Sequence, residues 1–151
     1  KIKPQWYTDF YDLDWSIMIK DNYIHSEISD LIIKAFYNVY NKLGYGFLEK
    51  VYENGMMIEL KRLGLNAEKQ KQLKVFYDEF EIGEYYADII VNDCVIVELK
   101  AAEAICPEHV AQLVNYLKAT EIEVGLLLNF GKEAKFKRRV LTSEFKNHKK
   151  S

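Results

Sequence analysis

The sequence predicts an α/β fold, with a small mixed sheet flanked by helices. Two observations carry that expectation. Ile28, Leu31, Ile32, Ala35, Phe36, Val39, Tyr40 and Leu43 recur three and four apart, which is one apolar stripe of an α-helix. From Leu73 the texture changes to β-branched and aromatic residues, in apolar runs short enough to be strands. A chain of 151 residues, 49% hydrophobic and 29% charged, has the size and composition of one domain with its own core.

Taken in order, residues 1–23 show no clean period. Trp6, Tyr7, Phe10, Tyr11 and Trp15 make them too aromatic for a free tail. The expectation is an arm that packs on the domain at 24–151 or on a partner chain, in a homo-oligomer or a larger complex. Ser26 suits an N-cap for the first helix and Gly44 its stop. Gly44-Tyr45-Gly46 supplies a tight turn into a second helix, from about Leu48 to Leu63, that ends at Gly64. Strands are expected at Leu73–Tyr77, Glu81–Val91 and Cys94–Leu99, with Asn92-Asp93 as a hairpin turn. Pro107 opens a third helix carrying Val110, Leu113, Val114 and Leu117. Val124–Asn129 reads as another buried strand. From Lys132 onward, Lys and Arg far outnumber Glu, and the expectation is a basic tail.

Composition excludes several classes. Cys94 and Cys106 form no CxxC pair and the His residues show no zinc spacing, so a structural zinc site is not expected. Two free thiols suit a reducing cytoplasm. No apolar run approaches the roughly 20 residues that span a bilayer, and the first residues do not form a signal peptide. The net charge of −2 gives no bulk signal for nucleic acid, but a local basic patch can bind phosphates on a near-neutral protein.

The chemistry lies between Ala87 and Lys100. Asp88, Glu98 and Lys100 interrupt otherwise apolar strands, where an unpaired buried ion costs several kcal/mol. Glu98 and Lys100 are two apart and share one face. The simplest explanation is a site that uses those charges; the bland alternative is a surface salt bridge on a sheet edge. Parity sharpens the choice. A two-residue turn at Asn92-Asp93 pairs Asp88 with Val97 and points the two carboxylates to opposite faces. A three-residue loop, Asn92–Cys94, pairs Val91 with Val95 and Asp88 with Glu98; a bulge near Asp88 has a similar effect. Hydrolysing a phosphodiester calls for a hard dication, and Mg²⁺ takes one or two carboxylates and keeps several waters. Such an ion polarises a phosphate oxygen and acidifies a bound water. Lys100 then orients that water or stabilises the developing negative charge.

These residues resemble a known family. Gly46-Phe47-Leu48-Glu49-Lys50-Val51-Tyr52 and Tyr86-Ala87-Asp88 through Val97-Glu98-Leu99-Lys100-Ala101 are similar to blocks of the GxxExxY proteins, a branch of the PD-(D/E)XK nuclease superfamily. So are His109 through Lys118 and Gly125 through Phe130, in the same order. The resemblance runs from about His25 to Leu141. It implies the restriction-endonuclease-like αβββαβ core and metal-binding roles for Asp88 and Glu98, with Mg²⁺ or Mn²⁺ the expected ion. Ala87 stands where the superfamily has its eponymous proline. Tyr40 stands where many members have histidine, which weakens any catalytic role for Tyr40.

The resemblance also matches Glu49 to the helical glutamate that reaches the metal cluster, although a Glu in a first helical turn is favoured by the helix dipole in any protein. Gln112 and Tyr116 stack on one helical face and resemble the Gln-x-x-x-Tyr pair that lines the DNA side of RecB-like exonucleases; an amphipathic helix edge looks the same. His109 and His25 suit helix-start positions better than ligation. Lys132, Lys135, Lys137, Arg138 and Arg139 are candidates for phosphate-backbone contacts, or simply a solvated face. The functional expectation is a Mg²⁺-dependent DNA nuclease. The alternative is a nucleic-acid-binding or protein-interaction module that keeps the fold without turnover.

Overall fold

The computed structural model describes residues 24–143 and Lys146. The aromatic arm expected at 1–23 lies outside them. Helix α1 (Ser26–Leu43) buries Ile32, Ala35, Phe36 and Val39 along the predicted stripe. Ser26 is its first helical residue rather than its cap. His25 takes the N-cap position with φ 51°, and its carbonyl accepts the Ser29 N–H at 2.9 Å. Gly44 ends the helix at φ 69° and Gly46 follows at φ 110°, backbone conformations that favour glycine. Helix α2 (Glu49–Arg62) buries Tyr52, Glu53, Met56, Glu59 and Leu60.

Five strands form one sheet in the order β1-β2-β3-β4-β5. They are β1 (Ala67–Tyr77), β2 (Phe80–Val91), β3 (Val95–Lys100), β4 (Val124–Phe130) and β5 (Ala134–Val140). The pairs β1–β2, β2–β3 and β4–β5 are antiparallel and β3–β4 is parallel, so the sheet is mixed as expected. The parallel step needs a crossover, and α3 (Pro107–Ala119) supplies it, with Pro107 in its first turn. His109 does belong to the helix start: its Nδ1 accepts the Cys106 N–H at 3.3 Å.

Two elements depart from the sequence reading. Strand β1 starts six residues earlier than Leu73, because its first half, Ala67–Gln72, is polar and lies on the sheet edge. The expected basic tail is largely strand β5. Its period of two puts Arg138 inward and fully buried, with Nε donating to Ser29 Oγ at 3.2 Å and a second nitrogen donating to the Ile24 carbonyl. Arg138 is therefore a core residue that ties β5 to the start of α1, and it is withdrawn from the phosphate-contact set.

The sheet is covered on both faces. Helices α1 and α2 bury Ile89, Val91, Val95, Val97, Leu99, Leu126, Leu128 and Phe130. Helix α3 lays Leu113 and Leu117 on Ala87, Ile90, Ile96 and Leu127. Each fully buried side chain of this size contributes roughly 1.5–3 kcal/mol. Gly125 permits the close approach of α3, since a Cβ there would lie 2.7 Å from Leu113 Cδ1. No helix among the described residues is long and apolar enough to cross a membrane.

Candidate active site

The hairpin between β2 and β3 has the register that co-facial carboxylates require. Val91 pairs with Val95, Ile90 with Ile96 and Ile89 with Val97, so Asn92–Cys94 is a three-residue turn. Asn92 and Asp93 adopt φ 51° and 56°, and the Val91 carbonyl accepts the Cys94 N–H at 3.0 Å. Continued one step, this register sets Asp88 opposite Glu98. Regular pairing stops there, and the carboxylates take over the ladder bonds. Asp88 Oδ2 accepts the Leu99 N–H at 2.8 Å, and Glu98 Oε2 accepts the Asp88 N–H at 3.3 Å.

Both carboxylates are half-buried, and both resist ionisation. Burial pushes Glu98 up to about 8, helped by the charge of Asp88 and, more weakly, Glu49; Lys100 opposes the shift. Burial also raises Asp88, with the charge of Glu53 adding to it, while the Leu99 N–H, Gln70 and Lys100 pull it down. Lys100 leaves β3 opposite Asn129. Asn129 pins the chain just beyond, accepting the Ala102 N–H at 2.9 Å and donating to the Ala102 carbonyl at 3.0 Å.

Helix α2 closes the other side. Glu49, Lys50, Glu53, Gln70, Asp88 and Leu99 line a cleft of about 300 Å³. Glu49 is exposed at its mouth. Glu53, which the sequence reading left aside, is only 4% exposed and faces inward. It accepts from Lys50 Nζ at 3.0 Å and from Gln70 Nε2 at 2.8 Å, and Gln70 reaches Asp88 Oδ1 at 3.5 Å. Gln70 has φ 55°, a left-handed conformation uncommon outside glycine, and the β1–β2 pairing skips this position. The spacing of Glu53, one helical turn after Glu49, could have been noticed in the sequence; the conformation of Gln70 could not.

Tyr52 explains the spacing of the Gly46…Glu49…Tyr52 motif. Its ring is fully buried and stacks on Phe130, with centroids 4.1 Å apart. Its hydroxyl donates to the Gly44 carbonyl at 2.7 Å and accepts the Phe47 N–H at 3.3 Å. The tyrosine thus fixes the loop from which α2, and with it Glu49, departs. Tyr40 is an anchor too: its hydroxyl lies 2.8 Å from the Gly131 carbonyl and 2.6 Å from that of Lys132.

The remaining candidates are spread more widely. Tyr116 stacks face to face on Tyr85, with ring centroids 3.4 Å apart and planes 11° from parallel. The charges of Glu98 and Asp88 act on the hydroxyls of both rings. Gln112 is exposed one turn earlier on α3. Lys132, Lys135 and Lys137 line a separate cleft of about 710 Å³ with Tyr37, Glu103 and Phe136. Arg139 instead lines a hollow beside α3, with Val110, Val114 and Lys118.

The donor set suits a hard dication. Two carboxylates are held by each other's strand, and their charges repel in a half-buried setting. Among the described residues no three His, Cys, Asp or Glu side chains converge to cage an ion. Mg²⁺ does not need such a cage, since one or two carboxylates and water satisfy it.

Comparison with known proteins bears on this arrangement. Among curated proteins, none matches the chain. A solved structure described as the crystal structure of SSO0001 is similar over 78% of this chain, at 20% identity and a TM-score of 0.48. This chain covers 59% of that protein, and a likeness of this size carries no functional argument. The family model for the PD-(D/E)XK nuclease superfamily matches residues 26–140, from the first turn of α1 to the last residue of β5. With the sheet, its flanking helices and the Asp88/Glu98/Lys100 hairpin all inside that match, the chain belongs to the PD-(D/E)XK nuclease superfamily.

Proposed function

We propose that the protein is a Mg²⁺- or Mn²⁺-dependent nuclease that hydrolyses phosphodiester bonds in DNA, and that it falls in the GxxExxY branch of its superfamily. The observation that carries this reading is that Asp88 and Glu98, beyond a three-residue turn, each accept a backbone N–H of the other's strand, with Lys100 on the strand of Glu98. Asp88 and Glu98 would hold the ion, with Glu49 at the cleft mouth as a further ligand. When bound, the ion supplies Lewis acidity to a phosphate oxygen and to an attacking water. Lys100 would stabilise negative charge that develops on the phosphate. Gln112 and Tyr116 would position the substrate from α3, and residues 1–23 would dock a second copy or a partner.

The test is incubation with linear and circular DNA, single- and double-stranded, with and without Mn²⁺. Ion-dependent cleavage that disappears in Asp88→Ala is expected. No cleavage in any combination, or equal cleavage by the variant, defeats the enzyme and favours a binding module.

The cleft lined by Lys132, Lys135 and Lys137 would carry the phosphate backbone away from the site. Each phosphate contact contributes roughly 0.9 to the slope of log affinity against log salt on duplex DNA. Replacing all three lysines with alanine is therefore expected to lower that slope by about 2–3 in fluorescence anisotropy. An unchanged slope removes this cleft from the DNA path.

A further inference from the structure

Tyr85 is not part of the superfamily motif, and its setting is unusual. Its hydroxyl oxygen is buried and has no hydrogen-bond partner. Leaving a buried hydroxyl unsatisfied is destabilising, so such a group calls for an explanation. The ring cannot easily swing out. It is stacked on Tyr116 and packs against the cluster of Ala87, Ile90, Ile96, Leu113 and Leu117. Tyr85 lies on β2, three residues before Asp88. Glu98 follows Ile96 by two residues on β3 and so shares with Tyr85 the sheet face that α3 covers. Glu98 Oε2 accepts the Asp88 N–H, while Oε1 has no partner among the described residues. A buried donor without an acceptor thus lies on the same face of the sheet as a carboxylate oxygen that no described residue bonds.

We propose that Tyr85 is a positioning residue whose hydroxyl donates to the Glu98 carboxylate when Glu98 engages the divalent ion. The proposal rests on the metal-dependent reading above. A carboxylate that ligates a metal is held in orientation by a hydrogen bond to its other oxygen, and removing such a partner typically weakens metal affinity or activity 10–100-fold. The Tyr85–Tyr116 stack sets the hydroxyl's position.

The experiment compares full-length wild type with Tyr85→Phe, which keeps the ring and removes only the hydroxyl. Three quantities are measured: melting temperature in EDTA, Mn²⁺ affinity by calorimetry, and DNA cleavage. In EDTA the variant is expected to melt at the wild-type temperature or above it. Its Mn²⁺ dissociation constant is expected to rise about tenfold. Its kcat is expected to fall by a similar factor, with KM for DNA little changed. A purely structural tyrosine gives the opposite pattern, a lower melting temperature in EDTA, and that result overturns the proposal. Unchanged Mn²⁺ affinity in the variant, on a wild type that binds Mn²⁺, overturns the proposal alone. A wild type that takes up no Mn²⁺ overturns the metal-dependent reading and the proposal with it.

Discussion

Glu98→Gln is expected to lose DNA cleavage and yet to be more stable than the wild type in metal-free buffer above neutral pH. Both effects come from one carboxylate. Burial and the neighbouring Asp88 raise the folded Glu98 to about 8, whereas an unfolded Glu ionises in the usual carboxylate range. Between those limits the folded chain holds the extra proton, so its stability falls as pH rises through the window. Glutamine removes that penalty. At pH 8.5 without metal the variant is expected to melt about 3–6 °C higher, roughly 1–2 kcal/mol for a domain of this size. At pH 4 both states of the wild type are largely protonated and the two proteins should melt together. Losing a metal ligand forfeits several kcal/mol of transition-state stabilisation, on the order of a 10³-fold loss of rate. Calorimetric melts at the two pH values and a single-turnover assay check this. A variant less stable than the wild type at pH 8.5 contradicts the electrostatic account, and one that cleaves normally contradicts the catalytic role.

Tyr52→Ala should show the largest loss of stability in the molecule's α2 face. It removes a fully buried ring stacked on Phe130 and both hydrogen bonds to the Gly44–Phe47 loop. Deleting a buried aromatic side chain costs about 3–5 kcal/mol, or a melting point roughly 10 °C lower. Tyr52→Phe separates the two roles. It keeps the stack and loses only the hydroxyl, at a cost of about 1–2 kcal/mol. Because that hydroxyl fixes the loop before Glu49, the conservative variant should also cleave more slowly while remaining folded. Urea denaturation and cleavage rates measured on both variants decide it. Wild-type cleavage by Tyr52→Phe means that the loop does not position Glu49 for function.

How far the sequence disclosed this site depended on what each residue's neighbours allow. The first helix was legible because its apolar stripe is buried on a single face. The hairpin register was legible in part: parity could state that Asp88 and Glu98 share a face only across a three-residue turn, but it could not choose that turn. Val91 paired with Val95 chooses it. Strand β5 was hidden because Lys135, Lys137 and Arg139 alternate with Phe136 and Arg138, so a buried cation breaks the apolar pattern. Its burial depends on Ser29 and Ile24, more than 100 residues away in sequence, which no local window contains. Gln70 was hidden for a different reason. It reads as polar edge, and only its left-handed backbone turns it toward Glu53 and Asp88. Glu53 was the avoidable omission, since a carboxylate one turn after Glu49 lies on the same helical face.

The most direct test of the shared site is a crystal structure of the protein grown in Mn²⁺ at a concentration that supports cleavage. One anomalous peak is expected between the two strands, about 2.0–2.3 Å from carboxylate oxygens of both Asp88 and Glu98. A peak that contacts only one of them, or no peak in that position, contradicts a shared site.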